Sequence, residues 1–137
     1  MIVAADSGDG LIDCVASVLA NGAGIEIVVV DNDSRDDSIE RLEARFAGNE
    51  SVRVLRNGAN LGFGSGCNRG AAIAAGDVLL FLNPDCHVEA TALPRLRRIL
   101  DNDPRIGVVG VLQVDAHGLV DPASRRHDPL LARALAA

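Results

Sequence analysis

The chain has 137 residues, enough for one domain that buries roughly two thirds of its extended-chain surface, and its 48% hydrophobic, 23% charged composition excludes a disordered polymer. Its formal charge of −6, with no lysine and arginines only singly or in adjacent pairs, excludes the concentrated basic surface that duplex nucleic acid needs. With three Phe and no Trp or Tyr, the core must be built from Val, Leu, Ile and Ala, which suits helices layered on a sheet and not an aromatic sugar-stacking groove.

Residues 1–5 are an apolar run that stops at Asp6-Ser7-Gly8-Asp9-Gly10, predicting a strand and a turn. Leu11, Ile12, Val15, Val18 and Leu19 recur at helical spacing as far as Asn21-Gly22, where the helix is expected to end. Residues 25–30 are β-branched except for Glu26 and show no sustained alternation, as expected of a central parallel strand covered on both faces; the run ends at Asp31-Asn32-Asp33. Ser34 followed by Asp37 resembles a capping box before Ile39, Leu42 and Phe46, which share one helix face. Residues 52–55 predict a third strand, residues 56–66 a loop rich in glycine and asparagine, and the small residues 67–75 a helix lying close to its neighbours.

Residues 77–82 predict a fourth strand, stopped at Asn83-Pro84-Asp85 because proline cannot continue a central ladder. Leu93, Leu96 and Leu100 mark a further helix, residues 106–114 a fifth apolar run, and Asp115-Ala116-His117-Gly118 a turn. Residues 124–129 read as loop and 130–137 as the start of a helix cut short. Alternating strands and helices predict one α/β domain with a mainly parallel sheet over residues 1–127, followed by a tail at 128–137. Cys14, Cys67 and Cys86 have no metal-knuckle spacing and read as reduced thiols of a cytoplasmic protein. No stretch reaches the ~18 to 20 apolar residues of a membrane span, and no signal peptide is recognisable. A sheet ending near Val114 would leave an exposed edge or apolar face, which is an expectation of a homodimer.

In parallel α/β sheets ligands sit beyond the carboxyl ends of the strands, which directs attention to residues 6–10, 31–34, 56–66 and 83–87. Asp31 follows four apolar residues, so a rigid strand would fix its carboxylate where it can accept a hydrogen bond from a pyrimidine imide or a ribose hydroxyl. Equally, it can cap the backbone that follows. Asp85, on the stiff Asn83-Pro84-Asp85 turn, could bridge Mg²⁺ or Mn²⁺ to a diphosphate, since these cations bind through one or two carboxylates plus substrate phosphates; an ordinary turn is the competing reading. A cation would also offset the acidity that a phosphate ligand meets here. His87 is read as a non-ligand. The glycines from Gly62 to Gly70 match neither phosphate-binding fingerprint and are expected to serve close backbone approach, while Arg56 and Arg69 flank them and read either as local positive charge for a diphosphate or, equally, as solvated surface arginines.

Taken together, Val28-Val29-Val30-Asp31-Asn32-Asp33-Ser34, Asn60-Leu61-Gly62-Phe63-Gly64, Asn68-Arg69-Gly70 and Leu80-Phe81-Leu82-Asn83-Pro84-Asp85 resemble the ordered motifs of family 2 glycosyltransferases, and most of all the rhamnosyltransferase-like enzymes of bacterial surface polysaccharide synthesis. The resemblance implies a GT-A fold, Rossmann-like, with a nucleotide-diphospho-sugar held by Ala5, Asp6, Ser7, Asp31, Asn32, Asn60, Gly62, Asn68, Arg69 and Asn83, and with Asp85 holding Mg²⁺ or Mn²⁺. It implies inverting transfer to a saccharide or lipid-linked saccharide acceptor, in the cytoplasm and, for a full-length enzyme, peripherally at the inner face of the plasma membrane. Two positions depart from the pattern: Asn83 replaces the first aspartate of D-x-D, and Ala4-Ala5-Asp6-Ser7 replaces a loop that usually carries a stacking aromatic. Family members normally run well beyond this length, and the general base belongs to the half not found here. A non-catalytic nucleotide-binding or scaffold module derived from such an enzyme is the alternative. A dinucleotide oxidoreductase lacks its glycine pattern at residues 6–10, and a phosphoacceptor receiver lacks its lysine.

Overall fold

A computed structural model describes residues 1–115 and 117–122. In the first of two compact units, Met1–Arg98, strands β1 (Ile2–Ala4), β2 (Ile27–Asp31) and β3 (Val52–Arg56) form a parallel sheet in that order. Helix α1 (Gly10–Leu19) joins β1 to β2, α2 (Ser38–Arg45) joins β2 to β3, α3 (Phe63–Ile73) follows β3, and α4 (Ala92–Asn102) comes last.

The run of β-branched residues makes β2 the centre of the sheet, and every one of its residues is buried. Its period of two divides the core in two. Ile27 and Val29 pack with Leu11, Cys14, Val15 and Val18 of α1 and with Ile39 and Leu42 of α2. Val28 and Val30 pack on the other face with Val3 and with Cys67 of α3. Both faces are thus covered by helices, as the unbroken apolar run requires, and each fully buried Val, Ile or Leu contributes about 1.5–3 kcal/mol.

The two faces are built differently. On the α3 side the helix lies so near the sheet that a Cβ at Gly66 would fall 2.8 Å from Val3 Cγ1, and one at Gly70 would fall 2.9 Å from Val30 Cγ2. The expected close approach is therefore present, but through glycines inside a helix. Residues 63–66, read from composition as loop, form the first turn of α3, because tertiary contact outweighs the roughly 1 kcal/mol per residue by which glycine disfavours a helix.

The fourth apolar run lies beside β1 without becoming a continuous strand. The Met1 ammonium donates to Leu80 O at 2.7 Å, Leu82 N donates to Met1 O at 3.0 Å, and Leu82 makes a single parallel bridge to Ile2. Val78, Leu79 and Phe81 are 41–52% exposed, so this edge lacks cover among the described residues. The capping box is also corrected. Helix α2 begins at Ser38, not after Ser34, and its first amide is met by Asp36, whose Oδ1 accepts from Ser38 N at 3.2 Å.

The second unit begins at Ile99. Here the expected fifth strand does not form. Only Val114 makes a bridge, antiparallel to Val120, around a turn in which Gly118 N donates to Asp115 O at 3.0 Å. Val108 is 88% exposed, and the run contains Gly107 and Gly110; without a partner ladder or a covering layer, apolar character alone does not make a strand. The expected loop at 124–129, the helix at 130–137 and Ala116 of the turn lie outside the described residues.

Gly66→Ala is expected to lower the unfolding free energy by about 1–3 kcal/mol in urea denaturation, through overpacking against the stiff Val3 side chain. Gly64→Ala, where an added Cβ meets nothing within 4 Å, is expected to be neutral or to stabilise by up to ~1 kcal/mol.

Candidate functional site

The carboxyl ends of the strands are level. Ala4 pairs with Asp31 and Asp31 with Arg56, and the ladder runs one residue further as Asn32 N donates to Ala4 O (2.8 Å) and Asn57 N to Asp31 O (2.9 Å). Beyond that edge the loops diverge toward their helices, and side chains take over from the ladder.

Asn32, 3% exposed, is the centre of that network. Its Nδ2 donates to Gly62 O at 3.2 Å and its Oδ1 accepts from Asn57 Nδ2 at 2.6 Å, which joins the end of β2 to the loop after β3 and to the amino end of α3. Gly62 has φ 80°, a conformation that favours glycine, and its own N–H donates to Asn60 Oδ1 at 3.0 Å. Asn60 and Gly62 are thereby brought to the same edge as Asp31.

Asp31 is 7% exposed, with Oδ1 accepting from Ser34 N at 2.9 Å. The capping reading of this carboxylate is thus present for one oxygen. Among the described residues no hydrogen-bond donor meets its Oδ2. Ala5 and Asp6 are exposed on the neighbouring loop, where Ser7 Oγ accepts from Ala5 N at 3.2 Å. Asp6 has φ 50°, and its Oδ1 accepts from Arg35 N at 2.6 Å and Asp36 N at 3.3 Å.

On the other side of β1, Cys86 N donates to Asn83 O at 3.2 Å, so the ordinary turn expected of Asn83-Pro84-Asp85 is formed. It rests against α1: the Cys14 thiol donates to Asn83 O at 3.4 Å, and a Cβ at Gly10 would lie 3.7 Å from Asp85 Cα. Burial pushes the Cys14 thiol pKa up to about 12, which makes it a neutral donor and not a nucleophile. Asp85 is exposed beside the amino end of α1, where a helix favours negative charge. Among the described residues no three His, Cys, Asp or Glu side chains converge as a metal cage. What Asp85 offers fits a hard cation held mainly by substrate oxygens, because such ions take one or two carboxylates from the protein. His87 is exposed.

Asn68 and Arg69 are not at this edge. They sit on the exposed side of α3, about 9 Å along the helix from Gly62 at 1.5 Å per residue. Arg56 is also unsuited to a free phosphate-facing role: its guanidinium makes two bonds to Glu43 (2.6 and 3.0 Å) and lies 3.7 Å from Glu40, both on α2. Two residues of the network escape sequence reasoning. Asn57 and Asp36 act through bonds to segments 25 and 28 residues away, and no local periodicity marks such partners. The hydrogen bond from Ser38 Oγ, followed by the amide bonds from Gly8 and Ser38, holds the Asp36 carboxyl below the usual carboxylate range. Its stabilising contribution is present above the unfolded pKa and is lost as pH falls through the depressed folded value.

A doubly covered parallel sheet whose polar loops gather at its carboxyl edge is a Rossmann-like arrangement, the one on which the GT-A fold of nucleotide-diphospho-sugar transferases is built. Solved structures agree. The chain superposes on Staphylococcus aureus TarS 1–349 in complex with UDP with a TM-score of 0.65 at 20% identity, covering 74% of this chain and 31% of that one. For the same protein in complex with UDP-GlcNAc the TM-score is 0.65 at 22% identity, covering 74% and 30%. The profile of glycosyl transferase family 2 matches residues 1–131, and the chain belongs to that family. The N-acetylglucosaminyl-diphospho-decaprenol L-rhamnosyltransferase of Mycobacterium tuberculosis is 30% identical over 124 residues, 82% of this chain and 39% of that protein. The dolichol-phosphate mannosyltransferase of Pyrococcus furiosus is 31% identical over 87 residues, 64% of this chain and 24% of that protein. The chain thus spans well under half the length of these relatives. No helix among the described residues is long and apolar enough to cross a membrane.

Asn32→Ala is expected to lower stability by about 1–3 kcal/mol, since it leaves Gly62 O and the Asn57 amide without their partner. Urea unfolding gives the magnitude, and faster amide exchange at Gly62 and Asn57 gives the location.

Proposed function

We propose that residues 1–127 bind a nucleotide-diphospho-sugar, of the dTDP-rhamnose or UDP-sugar kind, at the carboxyl edge of the sheet for inverting transfer to a saccharide or lipid-linked acceptor. What supports this reading is that Asp31 ends β2 beside Ala4, while the turn that carries Asp85 rests against the amino end of α1, just beyond the bridge of Leu82 to Ile2 on the other side of β1. The lipid-linked acceptor is supported by the name of the mycobacterial relative, and the uridine option by the ligands of TarS.

In this reading Asp31 caps its own loop with one oxygen and offers the other to the nucleoside. Ala5, Asp6, Ser7, Asn32, Asn60, Gly62 and Asn83 form the surrounding loops, with Asn68 and Arg69 further out. Asp85 would hold Mg²⁺ or Mn²⁺ together with the diphosphate. When bound, that cation supplies the positive charge that stabilises the departing nucleoside diphosphate. The amino end of α1 adds main-chain donors to the same place. The base that takes the acceptor's proton is assigned to no residue of this chain. The protein acts in the cytoplasm, at the inner face of the plasma membrane when its acceptor is lipid-linked. A homodimer through the exposed Val78, Leu79 and Phe81 belongs to the same reading, and a monomeric mass in solution would remove it.

Calorimetric titration tests the assignment. UDP or dTDP is expected to bind more tightly with Mn²⁺ than without it. Asp85→Ala should abolish that difference. Asp31→Asn keeps an acceptor for Ser34 N but places an amide donor where the nucleoside needs an acceptor, and should weaken binding by about 1.5–3 kcal/mol. Absence of binding by either nucleotide in the presence of Mn²⁺ would overturn the reading.

A further inference from the structure

The loops after β1 and β2 have no ladder to hold them once Asn32 N has met Ala4 O, yet four hydrogen bonds join them beyond that point. Asp6 N donates to Ser34 Oγ at 3.2 Å, and the Asp6 carboxylate accepts from Arg35 N and Asp36 N. In the opposite direction, Gly8 N donates to Asp36 Oδ2 at 3.0 Å. Each loop therefore sends a carboxylate to the main chain of the other. Asp36 is anchored in turn by Ser38, whose amide bonds to its Oδ1. Asp6 adopts φ 50°, a conformation that aspartate, asparagine and glycine tolerate better than other residues, which turns its side chain from its own strand to the neighbouring loop.

Resting on the donor-binding reading above, we propose that Asp6 and Asp36 are positioning residues: a reciprocal carboxylate clasp that holds the first two loops together beside the Asp31 carboxylate. Asp6 then serves the donor through the main chain it holds and not by touching the ligand. Exposed loops without such bonds sample many conformations, and ordering them on binding subtracts from affinity. A clasp formed before the nucleotide arrives removes that cost.

The test uses the whole chain, UDP with Mn²⁺ as the probe, and three variants. Asp6→Gly deletes the carboxylate while tolerating the positive φ. Asp6→Asn keeps the Oδ1 that accepts both amides. Asp36→Ala removes the reciprocal arm. In a protein that remains folded by its urea midpoint, Asp6→Gly is expected to weaken UDP binding at least tenfold and to speed exchange of the Arg35 and Asp36 amides, whereas Asp6→Asn should restore both to within about threefold of the wild type. Asp36→Ala should speed exchange at Gly8, and combining it with Asp6→Gly should lose less affinity than the sum of the single losses. If Asp6→Gly fails to fold, Ser34→Ala, which removes only the acceptor of Asp6 N, carries the test through the same exchange and binding measurements. Unchanged UDP affinity in Asp6→Gly overturns the clasp, as does Asp6→Asn binding as weakly as Asp6→Gly, for then the charge itself meets the ligand. A wild-type chain that binds neither UDP nor dTDP overturns the donor reading on which the proposal rests, an outcome distinct from both.

Discussion

Asn32 is a neutral amide sealed at the point where three chain segments leave the sheet, and burial obliges each of its polar atoms to find a partner. Its N–H takes the last carbonyl of β1, its Nδ2 the carbonyl of Gly62 before α3, and its Oδ1 the amide of Asn57 after β3. A parallel sheet has no hairpins to set the relative positions of its loops; each loop turns back toward a helix on its own. One side chain supplies what the topology omits. The adjacent Asp31 is therefore constrained by the strand behind it and by the amide network beside it, a rigid support for the group proposed to meet the nucleoside.

The distribution of charge follows a similar economy. Arg41 of α2 pairs with Asp9 and with Asp37 (3.0 Å), Arg53 of β3 pairs with Glu26, and Arg56 with Glu43 and Glu40. These arginines are committed to holding α2 and β3 in place and so are not free to neutralise an anion. At the carboxyl edge Asp36 accepts main-chain amides with both oxygens, Asp6 and Asp31 accept them with Oδ1, and Asp85 is exposed. A diphosphate approaching this edge would meet helix amino ends and exposed carboxylates, with the exposed Arg35 of the loop after β2 as a nearby cation. That is the situation in which a divalent cation contributes most.

The residues whose environment is set by their own neighbours in sequence were legible without coordinates. The β-branched run before Asp31 could only be a strand covered on both faces, and it is; the leucines of α4 and the helical spacing of α1 read correctly for the same reason. Where sequence reading failed, the deciding partner lay elsewhere in the chain. Residues 63–66 look like loop because glycine disfavours helices, and only the proximity of Val3 and Val30 explains why α3 includes them. Residues 106–114 look like a strand because they are apolar, but strand formation requires a ladder that composition does not reveal. Ser34 looked like a helix cap; instead it accepts from Asp6, 28 residues earlier. At the candidate site, the level strand ends were foreseeable from topology, whereas the Asn57 and Asp36 bonds were not.

The narrow gap between α3 and the sheet also sets which parts of this helix are free to change. A side chain at position 66 or 70 would require its neighbours to shift, and Cys67 between them is enclosed by Val3, Val28 and Val30. The neighbouring Asn68 and Arg69 face solvent and carry no packing obligation. Substitutions can thus accumulate on one side of the helix while the other remains locked, so a single short element can change its surface without drifting in position.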